Sequence, residues 1–207
     1  MKKFIILLSG IFLFVNVASS QGIDDRAVIP VAVTLNSILR LNVTSGGNIE
    51  FNFNTLLDYE QGIPTSAAYQ TKFNVASSVD WDVVMYSENT ELIGTDDASG
   101  TGETTNTMDL DFIGYHITSE GDLDDNYTFS FNDPTEPGPL TSDASDVLVG
   151  YDGTTSNAGD INRNNFTIHW ECGTGNGTMN ESNILTEGLA ADRYATNVFL
   201  ILQPTNN

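Results

Sequence analysis

Only two residues, His116 and His169, could serve as a general base beside a hydroxyl or thiol nucleophile. Each stands on the polar row of a run in which apolar and polar residues alternate, so the pattern predicts solvent-facing histidines on strands. The sequence has no Gly-x-Ser-x-Gly turn, glycine-rich phosphate loop or paired Cys and His metal spacing. The residues with reactive side chains therefore predict a protein that is not an enzyme.

Carboxylates offer the other chemistry, because hard cations take oxygen ligands from acid-rich loops. Asp122, Asp124 and Asp125 stand together in one such stretch, and Asp96 and Asp97 in another are the alternative. We expect these three side chains to be the candidate ligands of a structural calcium ion, and we predict no other cofactor.

The charge balance limits the partners. Seven basic residues against 28 acidic ones give a formal net charge of −21. Such a chain repels phosphate backbones and anionic lipid, so we predict no nucleic acid partner.

The N-terminal residues are typical of a secretory signal peptide. Lys2 and Lys3 precede an apolar run over Phe4–Val15, and Ala18–Ser20 supplies small residues for cleavage. The apolar run is shorter than the roughly 20 residues that span a bilayer, so no membrane span is predicted. We expect residues 1–20 to be removed and a secreted product at the cell surface or outside the cell, with the periplasm as an alternative.

Cys172 is the only cysteine, so no internal disulfide can form. In an exported protein a lone thiol is either buried and inert or joined to another molecule. The sequence leaves both interpretations open.

The stretch Ala27–Val43 carries apolar residues at most odd positions, as a strand with one buried face does. As one strand it would be roughly 56 Å long, against about 17–20 Å for an ordinary strand. We therefore predict a break. Leu39–Val43 is expected to form a hairpin with Ile49–Phe53, whereas Ala27–Leu35 either crosses to the opposite sheet or pairs with another molecule. In the second case the assembly strand is formed by Ile29, Val31, Val33 and Leu35.

Further short alternating runs follow, including one at Trp81 and a last one over Tyr194–Gln203. A polar loop is predicted over Gly94–Asn106, a β-bulge at Gly114 and a short helix near Ile184–Ala191. The spacing predicts an all-β fold with about nine or ten strands. We expect residues 21–207 to form a single antiparallel β-sandwich, an immunoglobulin-like or pilin-like Greek key.

Three stretches carry a resemblance to a known class of proteins. They are the exported N-terminal strand, the serine-rich entry to the tryptophan strand over Ala76–Val83, and the terminal strand Ala191–Gln203. In this order they resemble bacterial surface β-sandwich domains of the WxL and fimbrial, spore-coat-like type. The Asn-rich strands and acidic balance are similar to secreted proteins of Bacteroidota. The resemblance implies a surface location and a non-catalytic role.

These observations favour a structural protein that works by self-association or adhesion, such as a filament or fimbria-like subunit. Its partner would be another copy of itself, by strand exchange, or another surface protein or glycan. The alternative is a glycan-binding or calcium-stabilised ligand-binding module, for which the candidate aromatic residues are Tyr59, Tyr69, Tyr151 and Trp170.

Overall fold

The computed structural model describes residues 29–97, 105–121 and 127–205. The strands are β1 Leu39–Ser45, β2 Gln70–Ser77, β3 Trp81–Ser87, β4 Glu91–Asp97, β5 Thr105–Asp109, β6 Ile113–Ser119, β7 Tyr127–Phe129, β8 Gly138–Pro139, β9 Val147–Tyr151, β10 Asn165–Cys172, β11 Tyr194–Ala195 and β12 Val198–Pro204. The helices are α1 Leu56–Gln61 and α2 Ile184–Glu187. Neither helix is long and apolar enough to cross a membrane, and the described ranges contain no other α-helix.

The strands form three sheets in which neighbouring strands run antiparallel. A five-stranded sheet has the order β1-β2-β10-β6-β8, a four-stranded sheet β12-β3-β9-β7, and a three-stranded sheet β11-β4-β5. The predicted fold class, an all-β antiparallel sandwich, is confirmed, with twelve strands in the described residues rather than the nine or ten expected. β1 and β12 are edge strands of their sheets.

The chain divides between Leu35 and Asn36. Residues 29–35 contain neither helix nor strand, and all the elements named above belong to the part from Asn36 onward. The predicted boundary between residues 20 and 21 lies outside the described residues.

The core is built on aromatic side chains of both larger sheets. Phe166 of β10 packs against Phe73, Trp81 and Tyr127, with ring centroids 5.3, 5.9 and 5.1 Å apart. The first three of these residues are fully buried. Burying one such side chain contributes about 1.5–3 kcal/mol, so this cluster joins the two sheets.

Asn157 fixes the start of the tryptophan strand from the loop after β9. Its side-chain oxygen accepts a hydrogen bond from the main-chain N–H of Trp81 at 3.0 Å, and its amide donates to the Trp81 carbonyl at 2.8 Å. The indole Nε1 of Trp81 donates to the main-chain carbonyl of Asn157 at 2.9 Å. Since Asn157 is fully buried, these bonds satisfy polar groups that water does not reach.

The predicted hairpin between Leu39–Val43 and Ile49–Phe53 is wrong. β1 pairs with β2 instead, so that Leu41 lies opposite Val75. Residues Ile49–Phe53 form no strand. The alternating residues Leu39–Val43 do form a strand, but its partner lies about thirty residues further along the chain, where no turn residue can indicate it.

Three further expectations change. The predicted loop Gly94–Asn106 is shorter, because β4 continues to Asp97 and β5 begins at Thr105. The switch of apolar face before Ile113 comes from the 3-10 turn Leu110–Phe112, and Gly114 pairs in regular register with Glu171 rather than forming a bulge. The last predicted strand is divided between two sheets, as β11 and β12.

Candidate functional site

The predicted assembly strand lies fully in solvent. The side chains of Ile29, Val31, Val33 and Leu35 are 81%, 86%, 78% and 90% exposed. The intervening residues Pro30, Ala32 and Thr34 carry no charge. Monomeric soluble proteins rarely expose large apolar side chains in a continuous row, so this segment differs from an ordinary surface.

A cavity of about 850 Å³ opens in the part of the protein from Asn36 onward. We call residues 41–53 its first wall and residues 189–200 its second wall. Its floor consists of core side chains: Leu92, Met108, Ile113, Leu140, Ile168, Trp170, Cys172 and Ile184. These floor side chains are at most 9% exposed, so the cavity opens above a core that the chain itself already buries.

Half-buried apolar side chains surround this cavity. Most of the partly buried residues that pack on the core border it: Leu41, Ile49, Phe51, Phe53, Tyr59, Leu189, Tyr194 and Leu200. The half-buried apolar side chains of the protein are therefore concentrated around this cavity.

The first wall follows β1 through a glycine turn. Gly46 has φ +69°, and an added Cβ would lie 1.8 Å from the carbonyl oxygen of Gln70, so no other residue fits there. Thr71 Oγ1 donates to the Gly46 carbonyl at 2.7 Å. Beyond this turn Ile49, Phe51 and Phe53 alternate with exposed residues, but no described strand pairs with residues 47–53. Residues 47–53 of this wall therefore have a strand's side-chain pattern without a ladder, whereas residues 41–45 pair with β2 as part of β1.

The second wall is held by Asp192. Its carboxylate accepts hydrogen bonds from Thr95 N and Oγ1 at 3.1 and 2.7 Å, from Asp96 N at 3.0 Å and from Asn106 Nδ2 at 2.9 Å. Desolvation acts to raise the pKa of Asp192, but these hydrogen bonds outweigh it and hold the pKa well below its usual range. Asp192 thereby ties the residues before β11 to β4 and β5.

An ion pair joins the two walls. Arg193 Nε lies 3.3 Å from Glu50 Oε1, and the two side chains are 61% and 50% exposed. Both residues line the cavity. An exposed pair of this kind contributes at most about 1 kcal/mol, so it marks where the walls approach without closing the cavity.

The free edge of β12 faces outward from the four-stranded sheet. Glu88 N donates to Asn197 O at 2.8 Å and Thr205 N donates to Asp80 O at 2.9 Å. In an antiparallel ladder, hydrogen-bonded pairs recur every second residue, so the odd-numbered residues of β12 bond to β3. The N–H and C=O groups of Leu200 and Leu202 therefore point to the free edge, and the side chains of the same residues pack on the core.

The free edge of β1 follows the same rule. Ser78 N donates to Ile38 O at 2.9 Å, which assigns the even-numbered residues to the ladder with β2. Leu39 and Leu41 thus present their main-chain groups to the open side. Cα atoms of β1 and β12 come within 8 Å of one another, so the two free edges belong to one region of the molecule.

Neither histidine lines this cavity, although Ile168 and Trp170 beside His169 do. His116 is only 4% exposed, so the prediction of a solvent-facing residue is wrong for it. The two imidazoles stack with centroids 4.5 Å apart and planes 3° from parallel. Burial, and then the neighbouring His169, lower the pKa of His116 to about 4, while Asp133 opposes the shift.

Cys172 lies in the floor of the cavity at 2% exposure. Burial, helped by Glu171, raises the pKa of its thiol to about 12. Of the two interpretations of the lone cysteine, the buried and inert thiol agrees with this environment.

The predicted calcium ligands Asp122, Asp124 and Asp125 lie outside the described residues. Within the described ranges, no group of three or more His, Cys, Asp or Glu side chains is arranged to hold a metal ion.

The aromatic residues considered for glycan binding do not form an exposed platform together. Tyr69 stacks on Phe51 at 4.5 Å, and Tyr59 lies 5.3 Å from Phe53. Trp170 is 6% exposed and donates its indole N–H to Thr71 Oγ1 at 3.0 Å. Tyr59 and Trp170 nevertheless line the cavity.

No protein-family model matches the sequence, and no curated protein matches it either.

Proposed function

We propose that the protein is an exported, non-catalytic structural subunit of the cell surface or extracellular space, and that it self-associates by strand exchange. The exchanged strand is Ile29–Leu35. The observation that carries the proposal is the 78–90% exposure of its four alternating apolar side chains. Strand addition gives strength through main-chain hydrogen bonds and specificity through alternate side chains.

The charge of the chain supports a contact of this kind. At a formal net charge of −21, two copies repel each other over most of their surface. The segment from Ile29 to Leu35 is uncharged, so it can bind a second copy without placing like charges in the interface. Screening by salt further reduces the remaining repulsion, and we expect assembly to be stronger in a salty medium.

Deletion of residues 21–35 tests the proposal. The full chain, expressed without residues 1–20, is expected to form oligomers or filaments whose mass grows with concentration. The deleted chain is expected to be a folded monomer. Light scattering coupled to size exclusion, with far-UV circular dichroism as the folding control, measures both.

A length-matched variant makes the test specific. Replacement of Ile29, Val31, Val33 and Leu35 by serine keeps the segment but removes its apolar row, and is expected to give the same monomer. Full-length protein that stays monomeric at every concentration would exclude the proposal, as would assembly that survives both changes. Protein sequencing of the exported product is expected to start at Gln21.

The second candidate is a glycan-binding module. The observation that favours it is the cavity of about 850 Å³, since small-molecule sites measure about 300–1,000 Å³. In that case Trp170 fluorescence would respond to an oligosaccharide at millimolar concentration or below. A glycan array without hits removes this candidate.

A further inference from the structure

We infer that the pair Asn176-Gly177 is a site of spontaneous covalent modification, at which water converts the Asn176 amide into a carboxylate and loosens the loop of residues 173–183. It is the only Asn-Gly pair in the sequence. The inference goes beyond the proposed function, because it concerns neither the segment Ile29–Leu35 nor the cavity. It holds whether or not the chain assembles.

The reaction needs only groups of the chain and water. The main-chain nitrogen of Gly177 attacks the side-chain carbonyl carbon Cγ of Asn176, and a five-membered succinimide ring forms. The bond from Cγ to Nδ2 breaks, and Nδ2 leaves as ammonia with the proton that Gly177 N gives up. Water then opens the ring. Attack at the side-chain carbonyl gives aspartate, whereas attack at the main-chain carbonyl gives isoaspartate, whose main chain runs through the former side chain.

The attacking nitrogen is accessible. Asn176 and Gly177 are both exposed, and Gly177 has no side chain to hinder the ring closure. The neighbouring amides are engaged, because Thr178 N donates to Pro137 O and Met179 N donates to Asn176 O, each at 3.1 Å. Among the described residues, no acceptor takes the N–H of Gly177. This nitrogen is therefore free to react.

Asn162 provides the contrast within the same chain. It is also exposed, but the next residue is Arg163, whose side chain hinders approach. Arg163 N also donates a hydrogen bond to Asp160 Oδ1 at 3.2 Å. Asn162 therefore lacks the free amide that lies beside Asn176.

The new carboxylate would lie beside a buried one. Asn176 Nδ2 donates to Glu171 Oε1 at 3.2 Å, and Thr174 Oγ1 donates to the same atom at 2.6 Å. Glu171 is 2% exposed, and no basic side chain in the described part of the chain forms an ion pair with it. Conversion replaces a hydrogen-bond donor by a second negative charge, since an ionised carboxylate only accepts. Like charges at this distance and depth repel each other, so the loop is pushed away from Glu171.

Isoaspartate would disturb the packing as well. Gly177 has φ +57° and lies so close to the preceding loop that an added Cβ would be 2.3 Å from Pro137 O. Isoaspartate adds one carbon to the main chain before Gly177, so this contact and the turn bond from Met179 N cannot both stay as they are. Met179 is 4% exposed and packs on Gly114 of β6, where an added Cβ would lie 2.2 Å from its Sδ. A shift of the loop therefore loosens the cover of β6.

Peptide mapping of the full chain without residues 1–20 tests the modification. The protein is kept folded at pH 8, sampled over time and digested, and mass spectrometry follows each asparagine. The peptide that contains Asn176 should gain about 1 Da and divide into two chromatographic peaks, aspartate and isoaspartate, while the peptide with Asn162 stays unchanged. Asn176→Gln should stay unmodified, because its amide would have to close a six-membered ring. Modification at Asn176 no faster than at Asn162 overturns the inference.

Two variants separate the new charge from the lost hydrogen bond. Asn176→Ala removes the bond to Glu171, whereas Asn176→Asp removes it and adds the charge. We expect Asn176→Asp to lower the melting temperature by about 3–8 °C and to lower it more than Asn176→Ala does. Equal melting temperatures of the two variants overturn the role of Glu171.

Hydrogen exchange measures the loosening of the loop. The amides of Thr178 and Asn180 donate to Pro137 O and Asp111 O, so both are protected in the unmodified protein. They should exchange faster in chains that carry aspartate or isoaspartate at position 176. Unchanged exchange of both amides in the modified chain overturns the loosening.

Discussion

The change Val33→Ala should weaken assembly without affecting the subunit. Val33 is 78% exposed, so its side chain adds little to the stability of the monomer, whose melting temperature should not change. In the assembled state the same side chain would be buried. Removing two methyl groups then costs about 1.6 kcal/mol, which corresponds to a roughly tenfold to twentyfold weaker contact. The concentration at which oligomers appear in sedimentation or light scattering should rise by this factor.

Thr34→Ala is the matched control, because Thr34 belongs to the outward-facing row of the same segment. It should leave the assembly concentration within about twofold of the unchanged chain. Val33→Asp should abolish assembly, since an unpaired carboxylate in an apolar site costs several kcal/mol. Equal effects of Val33→Ala and Thr34→Ala would refute the assignment of the odd-numbered row to the interface, and so would a lowered melting temperature of the Val33→Ala monomer.

Three further predictions concern the body of the protein. Asn157→Ala leaves the buried main-chain N–H and C=O of Trp81 without partners, so the free energy of unfolding in urea should fall by about 2–5 kcal/mol; a loss below 1 kcal/mol would contradict the bonding described. The pKa of His116 falls on folding from 6.5 to about 4, so the unfolded chain binds a proton first as the pH is lowered. The free energy of unfolding is therefore highest, as far as His116 is concerned, above pH 6.5, and it falls by up to about 3 kcal/mol as the pH is lowered to 4. The variant His116→Gln should lose less melting temperature between pH 6.5 and pH 4. Cys172 should not react with a thiol reagent at pH 8 until the protein unfolds, and rapid labelling of the native protein would show that the floor of the cavity is accessible.

Local patterns in the sequence predicted those parts of the fold that depend on neighbouring residues. The alternation around Trp81 predicted a strand, and β3 lies there with Trp81 buried. The helix α1 was missed although its signal was present. Thr55 and Asp58 form a reciprocal capping box, in which Asp58 N donates to Thr55 Oγ1 at 3.2 Å and Thr55 N donates to Asp58 Oδ2 at 2.8 Å.

The cavity could not be predicted, because it depends on which strands become edges. The pattern of Ile49, Phe51 and Phe53 is the same whether or not a partner strand exists, and only the pairing of β1 with β2 leaves this stretch unpaired. In the same way, the burial of His116 follows from its position opposite His169 and near the loop that carries Asp133. Contacts between residues far apart in the chain decide both outcomes, and no local propensity contains them.

The two walls differ in how firmly the fold holds them. Asp192 fixes the second wall through four hydrogen bonds to β4 and β5, whereas the stretch after Gly46 has side-chain contacts but no ladder. We expect the amides of residues 47–53 to exchange with solvent far faster than those of Tyr194 and Ala195 in the isolated subunit. The cavity therefore has one wall that the fold holds in place and one whose main chain can adjust, so a change in its shape would fall on a single seven-residue stretch.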